Sequence, residues 1–330
     1  MLVSVILPVK NAEGTIHAAV KSILHQTLSA FELIVIDDNC TDRTLNQLKA
    51  IEDERIIMLP NKGSGIADAL NTGLAIAKGK YIARMDADDI SHPTRLEKQL
   101  QFMLDHPKVD IVSCFVSHNG QDNRNEQGYS YYVNWLNAIQ TPEEHFINRF
   151  VDAPVAHPTV FFKSELIPRF GSYSDNPVPE DFELWLRWME RGVSFAKVPE
   201  TLYHWLDYPT RTSRTHANYK LDKFYQLKAK YFARWWMANN MIKEIWIWGY
   251  GKDVFRKSLP LTETGINIAG YIDIIERPNA KRRVRSYRTI IANSDHFYLI
   301  YIGDRNGKQQ IIDFFADNKM KMGEDYLFMS

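Results

Sequence analysis

Short apolar runs alternate with helical patterns through the first hundred residues. The run 3–8 predicts a buried strand, and residues 12–26 carry Ile16, Val20, Ile23 and Leu24 at helical spacing. Residues 31–36 predict a second strand that ends in Asp37-Asp38-Asn39, followed by a helix over 41–51. A short strand at 55–59, a helix at 66–77 closed by Gly79, and a strand at 81–85 come next. The last of these runs into Asp86-Ala87-Asp88-Asp89. This βαβαβαβ order implies a parallel, right-handed, doubly wound sheet with helices on both faces. Beyond it the pattern predicts a helix over 95–104, strands at 110–116 and 159–162, and an amphipathic helix over 182–191. Residues 119–131 are polar with little periodicity and read as a loop or a poorly paired hairpin. A longer helix over 221–241 precedes a restart of the pattern near Lys243. Strands at 245–248, 268–272 and 297–302 and helices at 253–259 and 308–318 then predict a second, smaller α/β domain. The expected division is 1–220, a linking helix 221–242, and 243–330.

Ligands of open α/β sheets bind beyond the carboxyl ends of the strands. Asp37, Asp38, Asp86 and Asp88 all fall at such ends. Carboxylates two apart at a strand end suit a hard divalent cation, Mg or Mn, whose shell is completed by substrate phosphates. Such a cation neutralises a departing diphosphate. An isolated pair of this kind would ordinarily be loop punctuation; here a sheet precedes it and Ile90-Ser91-His92-Pro93 with a helix follows. Asp37 suits a base imide or ribose hydroxyl. For Asp38, binding and capping of the following helix weigh evenly. Glu180 and Asp181 precede a helix, where a carboxylate either deprotonates a hydroxyl or complements the helix dipole. His157, beside Pro158, lacks a partner at metal-ligand spacing. Trp185 either stacks on a sugar or belongs to the core.

The motifs together resemble the inverting family 2 glycosyltransferases of the GT-A fold. They are Val3-Ser4-Val5-Ile6-Leu7-Pro8-Val9-Lys10-Asn11, Asp37-Asp38-Asn39-Cys40-Thr41-Asp42, the segment 81–89, His157-Pro158-Thr159 and Glu180-Asp181. The resemblance covers residues 1–219. It implies that Pro8, Val9 and Asn11 line a nucleotide pocket and that Asp37 meets the base. It further implies that Asp86 and Ala87 face the ribose or sugar, that Asp88 ligates the metal, and that Asp181 is the catalytic base for displacement with inversion. Asn71 joins this pocket. Asp68 and Leu70 stand where many members have Ala-Arg before Asn71, so Arg84 is the candidate replacement for a phosphate-contacting arginine. His157, Glu180 and Trp185 are the candidates for the acceptor or sugar pocket. The implied reaction moves a sugar, with a UDP-sugar the expected donor, to a hydroxyl acceptor in bacterial surface-polysaccharide or glycolipid assembly. The alternatives are a non-catalytic nucleotide-sugar binder and a sugar nucleotidyltransferase, which would want a basic Gly-rich loop where 9–14 stands.

Forty basic and forty acidic side chains cancel in 330 residues, so no global field attracts nucleic acid. Two cysteines, Cys40 and Cys114, suit a reducing compartment. The first strand lacks a basic leader, and no apolar run reaches the roughly 18 residues of a membrane span. A cytoplasmic protein is expected, with the cytoplasmic face of the membrane as the peripheral alternative. The partners are a nucleotide-sugar donor and a saccharide or lipid-linked saccharide acceptor. Peripheral membrane contact through the apolar face of 221–241 stays open, as does a homo-oligomer through the C-terminal domain. There, Gly249-Tyr250-Gly251 follows a strand and Asp273 lies near the end of the next. That is part of a dinucleotide fingerprint, but Val254 occupies the third glycine position. A structural α/β unit that binds neither NAD nor FAD is expected.

Overall fold

The computed structural model describes residues 2–120, 126–207, 216–291 and 295–330. The chain forms two compact units, one from 1–146 and 154–216, the other from 147–153 and 217–330.

In the first unit lie β1 (Val3–Val9), β2 (Phe31–Asp37), β3 (Ile56–Pro60), β4 (Tyr81–Arg84), β5 (Ile90–Ser91), β6 (Ile111–Gly120), β7 (Phe161–Lys163) and β8 (Phe195–Asp207). They form one sheet in the order β3-β2-β1-β4-β7-β6-β8-β5. The four strands from β3 to β4 are parallel, as their pattern predicts. Beyond them the sheet is mixed: β7 runs antiparallel to β4 and β6, β8 is parallel to β6, and β5 is antiparallel to β8. Successive side chains of a strand point to opposite faces, and β2 shows the consequence. Leu33 and Val35 join the cluster that includes Ile16, Val20 and Ile23 of the helix Ile16–Leu24. Ile34 and Ile36 pack with Ala69 of the helix Ile66–Leu74 on the other face. A continuous apolar run thus becomes a strand covered by helices on both sides.

Two segments depart from expectation. Where a loop was expected over 119–131, β6 continues to Gly120 and a helix, Glu126–Ala138, follows; residues 121–125 lie outside the described residues. Val133 and Leu136 are buried, and Tyr132 and Trp135 pack on the same cluster. The polar residues before them hide this i, i+3, i+4 spacing. β8 escaped the pattern because Pro199 interrupts it, and proline is expected only at edges or bulges. Here Cys114 pairs with Val198 and Phe115 with Thr201, so Pro199 and Glu200 form the irregularity.

A buried polar knot sets the approach to β4. The Ser4 hydroxyl donates to Glu32 Oε1 (2.6 Å), and the backbone N–H groups of Gly79 and Lys78 donate to Ser4 Oγ and Glu32 Oε1 (both 2.8 Å). A Cβ on Gly79 would lie 2.4 Å from the Ser4 nitrogen, so only glycine lets the chain pass there.

The second unit holds five parallel strands: β9 (Glu244–Trp248), β10 (Ile268–Asp273), β11 (Val284–Ser286), β12 (His296–Ile300) and β13 (Tyr326–Phe328), in the order β11-β10-β9-β12-β13. The helix Leu221–Ala238 belongs to this unit. Leu227, Tyr231, Phe232 and Trp236 are buried, with Phe232 edge-on to Phe150 and Trp236 edge-on to Phe297. Lys228 donates to the carbonyls of Val151 (2.9 Å) and Met329 (3.0 Å), which ties the strip 147–153 into the unit. Most of the apolar face considered for a bilayer is therefore spent inside the unit, with Met237 exposed. Among the described residues no helix is long and apolar enough to cross a membrane.

Ser4→Ala should orphan the buried N–H of Gly79. We expect a loss of about 1–3 kcal/mol, read as a lowered denaturant midpoint of the first unit. An unchanged midpoint would show that the knot is dispensable.

Candidate active site

Parallel register brings three strand ends to one edge of the sheet. Val9 pairs with Asp37, and Ile6 pairs with Arg84 two residues before Asp86. The loops after β1 and β2 are then stitched together. Asn11, with φ 48°, accepts from the Thr41 backbone N–H through Oδ1 (2.7 Å). The Ala12 N–H donates to Thr44 Oγ1 (2.8 Å) and the Glu13 N–H to Asp42 Oδ2 (3.0 Å). Asp37 turns the chain by accepting from the Cys40 N–H through Oδ1 (2.8 Å). Val9 is buried in the core, so it presents backbone to this edge. Burial pushes the Cys40 thiol up to about 11, which leaves it a packing residue.

Asp38 neither caps the following helix nor stands open. Its carboxylate accepts from the Gly65 N–H (2.9 Å) and Asn61 Nδ2 (2.6 Å), and pairs with Lys10 (3.5 Å). It anchors the loop 61–65 beneath the site. Both ends of the Asn71 amide bond the Tyr173 backbone, Nδ2 to its carbonyl (2.9 Å) and Oδ1 from its N–H (3.1 Å). Asn71 thereby fixes the segment that carries Tyr173.

The acidic turn after β4 is built on buried cations. Arg84 is almost wholly buried, and its Nη1 lies 2.6 Å from Asp86 Oδ2. Burial opposes its charge, but Asp86 foremost, with Tyr203 and Tyr173, outweighs that and holds it more firmly protonated than a free arginine. Its side chain is thus committed to Asp86, not to an open phosphate site. Arg95, fully buried, donates through Nη1 to the Arg84 (3.1 Å) and Pro158 (2.9 Å) carbonyls. One carboxylate oxygen each from Asp86, Asp88 and Asp89 can be chosen so that all lie within 4.8 Å of one another. Asp89 is fully buried and already engaged: it accepts from the Tyr203 hydroxyl (3.0 Å) and the Leu206 N–H (2.9 Å). The Tyr203 oxygen in turn accepts from the Asp86 N–H (3.2 Å). Asp86 and Asp88 therefore fit the needs of a hard cation completed by phosphate oxygens, while Asp89 shapes the turn. Ala87, half-buried, packs against the core beneath them.

A second buried network centres on Tyr173. Its hydroxyl lies 2.8 Å from His157 Nε2, whose Nδ1 is 3.7 Å from Glu180 Oε1. Burial, aided by Arg84, pushes the His157 pKa well down and keeps the ring neutral. Burial raises the Tyr173 hydroxyl, with Glu180, Asp181 and Asp86 adding to the rise. That phenol thus stands within the field of both acidic groups. Glu180 and Asp181 open the helix Glu180–Glu190, with Asp181 Oδ1 accepting from the Phe182 N–H (2.7 Å). Arg187 on that helix donates to the Phe170 (2.5 Å) and Ser172 (2.6 Å) carbonyls, fixing the approach to Tyr173. Trp185 offers no face to a sugar. It is fully buried, edge-on to His157 and Phe195, because its helix turns that side to the core.

Sequence reasoning missed Tyr173, Tyr203, Asp89 and Arg95 as site residues. Asp89 had a local signal, adjacency to Asp88; the others act through contacts across long sequence separations.

The edge fits a class, the glycosyltransferases of the GT-A type. The description "Glycosyl transferase family 2" matches residues 4–166. The putative glycosyltransferase EpsE of Bacillus subtilis is 32% identical over 228 residues, 67% of this chain and 78% of that one. An Escherichia coli protein, "UDP-Glc:alpha-D-GlcNAc-diphosphoundecaprenol beta-1,3-glucosyltransferase WfaP", is 44% identical over 199 residues, 58% of this chain and 72% of that one. Among solved structures, S. aureus TarS 1–349 in complex with UDP-GlcNAc superposes with a TM-score of 0.57 at 17% identity, covering 80% of this chain and 71% of that one. The chain belongs to glycosyl transferase family 2 and is a glycosyltransferase of the GT-A fold.

Tyr203→Phe keeps the ring and removes one buried hydroxyl. The Asp89 carboxylate and the Asp86 N–H each lose a partner, so we expect about 1–3 kcal/mol lower stability, measured by chemical unfolding. Wild-type stability would mean that the hydroxyl does not hold the turn.

Proposed function

We propose that this enzyme transfers a sugar from a UDP-sugar to a hydroxyl of a saccharide or lipid-linked saccharide, with inversion and with help from a divalent cation, Mg or Mn. The observation that carries this is the Asp86–Asp88–Asp89 cluster at the end of β4, beside the ends of β1 and β2. The donor and acceptor class draws support from the printed activity of the relative WfaP, which names UDP-Glc and a diphosphoundecaprenol-linked sugar. A role in surface polysaccharide draws support from a relative, the amylovoran biosynthesis glycosyltransferase AmsE of Erwinia amylovora, 30% identical over 207 residues. The work site follows from such an acceptor: the cytoplasmic side of the membrane.

In this reading Pro8, the Val9 backbone, Asn11 and Asp37 receive the nucleoside. Asp88, with Asp86, would hold the cation, and a cation there would supply the charge that neutralises the diphosphate leaving group. Asp181 takes the proton from the acceptor hydroxyl. The acceptor oxygen forms its bond to the anomeric carbon while the bond from that carbon to the diphosphate oxygen breaks on the opposite face, so the configuration inverts. The nucleoside diphosphate departs with the electron pair of that bond. Neutral His157 and Glu180 border the acceptor side, and His157 holds the Tyr173 hydroxyl in place.

Asp88→Asn should abolish transfer and cation-dependent nucleotide binding while the protein stays folded. Full turnover in EDTA would overturn the cation's part. Asp181→Asn should lower turnover by roughly 10²–10⁴-fold and leave donor affinity near wild type. Undiminished turnover would return Asp181 to complementing its helix dipole.

A further inference from the structure

The second unit contains a cleft of about 810 Å³ that no step above uses. That volume falls within the range of small-molecule sites. It lies beyond the carboxyl ends of β9, β10 and β12, lined by Trp248, Asp273 and Ile302. The strand order changes direction at β9, between β10 on one side and β12 on the other. Open α/β sheets take their ligands at such a point.

The lining divides into two chemistries. Trp248, Tyr287 and Phe314 form an aromatic triangle, with centroids 5.4–6.3 Å apart. Arg277 and Arg288 bring positive charge, Arg277 over the Tyr250 ring and Arg288 over Tyr287. The acid that a dinucleotide site would offer to ribose hydroxyls is already committed. Asp273 Oδ1 accepts from the Ile275 N–H (3.2 Å) and Oδ2 from Arg277 Nε (3.1 Å).

The two glycines of the turn differ. Gly249 has φ 109°, and a Cβ there would meet Val254 Cγ2 at 2.8 Å and Ile302 Cδ1 at 2.9 Å. It is required by the fold, since it makes the room that Val254 fills. Gly251 is extended at φ −163°, and a Cβ there would meet nothing within 4 Å. Neither backbone nor packing requires glycine at that position; its missing side chain leaves open space at the cleft wall.

We propose that this cleft binds a nucleoside phosphate. The base packs against the cleft side of Tyr287 and Phe314, and the phosphate meets Arg277, Arg288 and the Gly251 backbone. The ligand is a mononucleotide, because the acid that a dinucleotide site uses for ribose, Asp273, is held by the Ile275 N–H and Arg277.

The test uses the full chain in EDTA with azido-ADP and azido-UDP as photolabels, followed by peptide mapping. Peptides from 248–314 should carry label, and unlabelled ADP or UDP should displace it at micromolar concentration. Gly251→Val and Arg277→Gln should each weaken that labelling at least tenfold and leave sugar transfer unchanged. Label absent from 248–314, or labelling there left unweakened by either substitution, overturns the proposal. Displacement by NAD at lower concentration than ADP would also overturn it, in favour of a dinucleotide. Label on peptides bearing Asp37 or Asp88 reports the transfer site instead, so the two readings fail separately.

Discussion

A guanidinium removed from water must have a counter-charge at hand, and much of the site follows from placing Arg84 where it is. An unpaired buried charge costs several kcal/mol even after relaxation, so Asp86 has to turn back toward β4. That fixes the first acid of the cluster and aims the turn that carries Asp88. The same constraint reaches further, because Arg95 is buried too and spends one amine on the Arg84 and Pro158 carbonyls. Two buried cations thus act on the turn, Arg84 beside Asp86 and Arg95 within the field of Asp89. Acids that would repel one another on a neutral surface can be gathered there before any ligand arrives.

The turn needs a second support, and Asp89 supplies it. Buried and doubly bonded, it links the acidic turn to Tyr203 and Leu206 on β8. Two of the acids therefore have structural work. Asp89 sets geometry and Asp86 balances a buried cation.

Much of this was legible in the sequence where the signal is local. The first four parallel strands and their carboxyl-end aspartates follow from apolar runs and what terminates them. Asp37, Asp86 and Asp88 are found at the edge where strand order put them. The remainder depended on long-range pairing. Nothing near Tyr173 announces that Asn71 will hold its backbone from a helix about a hundred residues earlier. The strand β8 was hidden by Pro199, which looks like a terminator and is instead a bulge. Trp185 shows the converse failure: an aromatic near two acids invites a sugar-binding role, and only the helix's packing reveals that it faces inward.

The turn at Gly249 carries the same lesson in a different form. A fingerprint glycine conventionally lets helix and strand approach, and a valine in its place argues against the motif. Here the parts are exchanged. Gly249 yields the space and Val254 fills it, so the helix Lys252–Thr262 is held against the strands by a side chain that the pattern would reject. A missing glycine in a motif therefore reports on one packing contact and leaves open whether the loop still borders a cavity. In this chain the contact is satisfied from the other side, and the cleft remains.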